Sequence, residues 1–117
     1  MRVLLDENVP HNLRRHLPGH EVTTVAHKGW GGLRNGDLLT VLERAGFEVF
    51  VTGDQGIEYQ NRISGRRFGI VALPINNWPI IRKNLNKIAA AVDVAQAGSV
   101  SLVDCGKFTR FQKSSGG

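Results

Sequence analysis

Five short apolar runs punctuate the chain, at residues 3–6, 21–25, 48–52, 69–73 and 99–103, each rich in Val, Ile, Leu or Phe. Runs of this length and composition read as β-strands. Val3, Leu4 and Leu5 show no alternation with polar residues, the pattern of a strand covered on both faces. Between the runs the period changes to that of a helix. Leu38, Val41, Leu42 and Ala45 recur at i, i+3, i+4 and i+7, and Gly46 is placed to end the helix they define. Ile81, Leu85, Ile88 and Val92 alternate steps of four and three behind Pro79, before Gly98 breaks the pattern. A helix opening at Pro10 and stopping at Pro18-Gly19, and a short one over 57–63, fill the remaining gaps.

Strands that alternate with helices predict an α/β fold, here a three-layer α/β/α arrangement around a mostly parallel five-stranded sheet. If the strand order is 2-1-3-4-5, strands one and three are neighbours. With 117 residues, 41% of them apolar, the chain suits one domain with a real core, expected over 1–105, followed by a basic, disordered tail over 106–117. No apolar stretch approaches the length of a bilayer span and the first residues lack the pattern of a signal peptide, so a cytoplasmic protein with no membrane partner is expected. Cys105 is the only cysteine, which excludes an intrachain disulfide and a thiolate zinc site and leaves a structural thiol.

Charge divides the chain. Residues 1–58 hold eight acids and six Lys or Arg, whereas residues 59–117 hold two and nine, so the halves carry −2 and +7. Arg62, Arg66, Arg67, Arg82, Lys83 and Lys87 fall in a stretch without any acid. Such a run is either a solvated face or a track for a polyanion, and the nucleic-acid contacts expected from it are Arg62, Arg66, Arg67, Arg82 and Lys83.

The acids carry the candidate chemistry. Asp6 and Glu7 follow the first strand, Asp37 opens the second helix, and Asp54 lies two residues beyond Thr52 at the end of the third strand. In parallel α/β sheets the carboxyl ends of the strands and the amino ends of the following helices share one edge, where ligands bind. Singly, each acid has an ordinary explanation as a helix-dipole partner, a solvated side chain or a turn residue. Their convergence on one edge points instead to a cation site. Mg²⁺ or Mn²⁺ would be held by Asp6, Asp37 and Asp54, with positions left for phosphate oxygens. The four histidines His11, His16, His20 and His27 have no ligand spacing and read as surface or cap residues. Trp30, within "HKGWGGLRNGD", reads as a plug under a long loop or a stacking surface for a base. No G-x-x-x-x-G-K phosphate loop is present, which argues against a nucleoside triphosphatase.

The segments "VLLDENVP", "GDLLTVLERAGFEVFVTGDQG", "YQNRISG" and "IVALP" resemble the short PIN-like nucleases, especially the VapC-related toxin branch, over about residues 2–103. The resemblance implies a PIN-like domain acting as a Mg²⁺- or Mn²⁺-dependent endoribonuclease, the toxin of a toxin–antitoxin pair. RNA would be its substrate and a cognate antitoxin its protein partner, and a homodimer is compatible with it. Carried over by position, Asp6 and Asp54 would be metal ligands, Asp37 a third acid and Glu7 an accessory catalytic acid. Where many relatives carry a further acid two residues past Asp54, this chain has Gly56.

Two other classes share part of the pattern. Receiver domains of two-component signalling also place an acid pair after strand one and an aspartate after strand three, with a lysine after strand five, a layout that Asp6, Glu7, Asp54 and Lys107 imitate. Ala72-Leu73-Pro74 stands where a receiver has a Ser or Thr. The third class is a non-catalytic module that binds nucleic acid or an antitoxin on a nuclease fold.

Overall fold

The computed structural model describes residues 1–54 and 63–105. Its strands are β1 (Arg2–Leu5), β2 (Glu21–Thr24), β3 (Val49–Thr52), β4 (Gly69–Ala72) and β5 (Val100–Leu102). They form one sheet in the order β2-β1-β3-β4-β5, and every neighbouring pair is parallel. The parallel direction agrees with the expectation from the sequence, and the order is the one that makes β1 and β3 neighbours. The helix expected over 57–63 and the tail over 106–117 fall wholly or largely outside the described residues.

Because side chains alternate between the two faces of a strand, β1 contributes to two cores. Val3 and Leu5 join Val49, Val51 and Val71 on one face, where Leu13, Ile81, Ile88 and Val92 cover them. Leu4 joins Phe50 and Ile70 on the other, beneath Leu38, Leu39, Leu42 and Phe68. All three apolar residues of β1 are fully buried. Helical elements therefore lie on both faces, giving the expected three layers.

Some helices depart from the sequence pattern, for local reasons. The segment after Pro10 is a six-residue 3-10 helix, His11–His16, in place of a longer α-helix reaching Pro18. The second apolar run stops one residue early because Thr24 turns to cap a short helix, α1 (Val25–Lys28), its hydroxyl accepting from the His27 amide at 3.0 Å. Helix α2 (Asn35–Arg44) fits its pattern closely, and Gly46, at φ 87°, takes the left-handed turn after it.

The last helix is broken. Its apolar spacing runs unbroken through residue 84, yet the chain forms α3 (Trp78–Lys83) and α4 (Leu85–Asp93) with Asn84 between them at φ −119°. The Asn84 side-chain amide donates to Ile80 O at 2.8 Å and to Cys105 O at 3.0 Å. Side-chain amides of this kind compete with the backbone ladder. The break lets Ile81 and Ile88 both reach the same core. Cys105 is buried, as expected of a structural thiol, and burial pushes its thiol pKa up.

Arg66 and Arg67 lie just before β4, at the amino-terminal edge of the sheet and on the side opposite Asp6 and Asp54. There Glu43 of α2 accepts from the Arg66 guanidinium at 2.9 Å and from the Arg67 amide at 2.9 Å. The expected track leading from these arginines to the acids is thus replaced, at these two positions, by a clamp of the β3–β4 connection onto α2. The Arg67 amide first, and then the Arg66 guanidinium, hold the Glu43 carboxyl below its ordinary 4.5 against the opposing effect of partial burial. A depressed carboxylate stabilises the fold above its unfolded-state value, and that contribution fades as pH falls through the lower folded value. Glu43→Gln should cost about 1–2 kcal/mol near neutral pH. Urea unfolding over a descending pH series should show the gap narrowing as the wild-type carboxyl becomes protonated in the folded state; a gap of equal size at every pH would mean that shape, not charge, makes the clamp.

Candidate functional site

In a sheet of order 2-1-3-4-5 the chain leaves β1 toward β2 on one side, while β3 lies on the other. The carboxyl ends of β1 and β3 thus flank a crevice that no connection crosses, the place where sheets of this topology bind ligands. Asp6 directly follows Leu5, and its amide still donates to Val51 O of β3 at 2.8 Å. The last ladder bond of β1 therefore fixes the backbone of an acid at the mouth of the crevice.

Thr52 ties the two strand ends together. It is the one fully buried polar residue among those described. Its hydroxyl donates to Asp6 Oδ2 at 2.7 Å and accepts from the Asp54 amide at 3.2 Å. Buried hydroxyls demand partners, and here the partners are the two acids of the crevice. Asp6 Oδ1 accepts from the Glu7 amide at 2.8 Å. Two donors thus orient the Asp6 carboxylate, whose oxygens offer about four lone-pair positions in all.

Asn8 makes a second tie. Its side-chain oxygen accepts from the Gly53 amide at 2.8 Å, while its amide nitrogen lies 3.4 Å from Asp54 Oδ1. Gly53 sits in a tight approach: a Cβ there would stand 3.0 Å from Asn8 Cγ and 3.1 Å from its backbone oxygen, so Asn8 would have to give by a few tenths of an ångström. At Gly31 a Cβ would lie 2.5 Å from Glu7 Oε2, the flexible end of that side chain, so Gly31 leaves the Glu7 carboxylate its present position.

Asp6, Glu7, Asn8 and Asp54 line one cavity of about 240 Å³, closed on its other side by Trp30, Leu33 and Leu38. Trp30 is half-buried, edge-on to Phe47 with ring centroids 6.1 Å apart, so it packs into the core while showing one side to the cavity. The structure brings Asp6, Glu7 and Asp54 together. It leaves Asp37 exposed in the first turn of α2, where it favours the helix dipole and lies outside the lining of this cavity. Arg82 and Lys83 are exposed in the last turn of α3, away from its amino end. Arg62 lies outside the described residues.

Two positioning residues, Asn8 and Thr52, were given no role by reasoning from sequence. Their signal was present, since Asn8 completes the D-E-N run and Thr52 opens T-x-D, but only the neighbouring strand ends show what each one holds. His11 and His27, read as scattered, both reach this edge, and with Asp6 and Glu7 they line a second cavity. Among the described residues, no three acid, histidine or cysteine side chains stand close enough to form a ready metal cage. Paired aspartates nevertheless suit a hard cation that keeps most of its water, as Mg²⁺ does when one or two carboxylates and substrate phosphates hold it.

Comparison with protein-family models, curated proteins and solved structures finds no match to this chain. Fold and site define an α/β protein with an acidic crevice at the β1–β3 junction.

Thr52→Val keeps the shape of the side chain and removes the hydroxyl. It should lower stability by about 1 kcal/mol and weaken Mn²⁺ binding about 10- to 100-fold, as loss of a ligand-orienting partner does. Thermal melts across a Mn²⁺ titration measure both effects. An unchanged Mn²⁺ response in the variant would show that Asp6 needs no help from Thr52.

Proposed function

We propose that this protein is a metal-dependent nuclease of the PIN-like kind that hydrolyses RNA phosphodiesters. The observation that carries the reading is the pairing of Asp6 and Asp54 across the β1–β3 crevice, each oriented by a neutral hydrogen-bond donor. Carboxylates oriented in this way at the ligand-binding edge of a parallel sheet suit a hard cation that also takes phosphate oxygens. Their use is to gather positive charge.

Asp6 and Asp54 would hold a Mg²⁺ or Mn²⁺ ion together with the substrate phosphate. Such an ion supplies charge neutralisation of the phosphodiester and a more acidic water. The chain's own residues do the rest. Thr52 and Asn8 keep the two carboxylates in place, Glu7 faces the same cavity as an accessory acid, and Trp30 and Leu38 close its far wall.

The resemblance to VapC-related toxins supports a toxin role with a co-encoded antitoxin as partner, and cytoplasmic action on RNA. The receiver reading finds less support, since buried Ala72 and Leu73 occupy the strand end where a phosphorylated aspartate would need a hydroxyl.

Wild-type protein should cut single-stranded or structured RNA with Mn²⁺ and stop in EDTA. Asp6→Asn and Asp54→Asn should each lower the rate by more than about 100-fold while melting cooperatively. Glu7→Gln should lose less. If Asp54→Asn cuts as fast as the wild type, the crevice is not the nuclease site; acyl phosphate formation on Asp54 with a small phosphodonor would replace the nuclease with the signalling domain.

A further inference from the structure

The larger cavity at this edge, about 500 Å³, adjoins the acidic crevice and shares Asp6 and Glu7 with it. Its opposite wall is cationic and imidazole-bearing. His11 and Arg14 are three residues apart on the 3-10 helix, a spacing that aligns side chains because that helix has three residues per turn. Leu13, between them, points into the core and fixes which way the pair faces. His27 comes from α1, whose backbone is held at this end by the Thr24 cap, and Asn76 comes from the segment that follows β4. All four side chains are exposed.

The volume and the lining decide what such a cavity takes. A phosphate ion alone would fill little of it, and two adjacent carboxylates repel a free anion. Apolar surface from Val9, Pro10 and Ala26 also has no use for a bare ion. A nucleotide can meet each wall, since unlike a bare ion it carries ribose hydroxyls and base N–H groups that can donate to the Asp6 and Glu7 carboxylates. Its base can lie on the apolar surface and the imidazoles, which stack on bases as other aromatic rings do, and its phosphate can take the forked guanidinium of Arg14. Because Asp6 and Glu7 belong to both cavities, a nucleotide seated here lies next to any phosphodiester held in the crevice.

We propose that the cavity lined by His11, Arg14, His27 and Asn76 seats the nucleotide adjoining the scissile phosphodiester, with Arg14 holding a phosphate of that nucleotide. The proposal builds on the nuclease reading but concerns binding, so it can be measured without catalysis. His11, Arg14 and His27 are then the residues that choose and position substrate.

The test titrates the full chain, in EDTA, with adenosine, guanosine, cytidine and uridine 5′-monophosphates and with inorganic phosphate, followed by calorimetry and by amide shifts in NMR spectra. At least one nucleotide should bind more tightly than inorganic phosphate and shift the amides of residues 11, 14 and 27. Arg14→Ala should weaken that nucleotide about tenfold or more, with partial rescue in Arg14→Lys. Arg67→Ala, at the far edge of the sheet, should bind as the wild type does. Failure of every nucleotide to bind, or equal affinity in Arg14→Ala, overturns the proposal. The two readings separate cleanly. Nucleotide binding that is intact in a protein that cuts no RNA keeps the cavity and removes the nuclease, whereas RNA cleavage with an unchanged KM in Arg14→Ala keeps the nuclease and removes the cavity.

Discussion

Everything at the acidic edge depends on β1 being buried on both faces and hydrogen-bonded on both sides. Past Arg2 at its amino end such a strand can carry no charge, so Val3, Leu4 and Leu5 are apolar and fully buried. The next charged residue must come where the chain emerges from the sheet. Asp6 is that residue, and its amide is still bonded to β3. The acid therefore inherits the rigidity of a strand paired on both sides, an arrangement that suits a group whose geometry must not drift.

From this fixed point a small polar network spreads to the neighbouring strand. The side chains of Thr52 and Asn8 make four hydrogen bonds here, two each, and three of them join the end of β1 to the end of β3. Burying a hydroxyl completely is costly unless it is bonded, and Thr52 is bonded as both donor and acceptor. The network thus serves two purposes at once. It closes the carboxyl end of the sheet where an unbonded Thr52 would weaken it, and it orients two carboxylates that line one crevice.

The two edges of the sheet divide the labour. At the amino-terminal edge, Arg66 and Arg67 bond to Glu43 and fasten the entry to β4 onto α2. At the carboxyl edge, Arg14 and two histidines face a cavity with acids on its other wall. Arginines that look alike in the sequence are structural at one edge of the sheet and line a cavity at the other.

The sequence by itself determined the layers, the parallel sheet and the edge on which the strand-end acids lie, because these follow from periodicity and from the handedness of parallel connections; which strands are neighbours came from the packed sheet. Residues 3–5 announce a strand covered on both faces, and an acid immediately after such a strand can lie only at its end. The tertiary structure alone decided which residues cooperate. Asn84 breaks a helix whose apolar spacing is continuous, because its side chain reaches Cys105 O, a partner 21 residues away. Thr52 becomes a hinge pin of the site because Asp6, 46 residues distant in the chain, ends beside it. Arg66 turns from the acids to Glu43 because the chain has crossed to the other edge before it reaches β4. His11, Arg14 and His27 form one wall because a 3-10 helix and a capped α1 converge there. Spacing along a chain encodes the face and the edge of each element, but contact between separate elements depends on register and on side-chain reach, and those are set only when the elements pack.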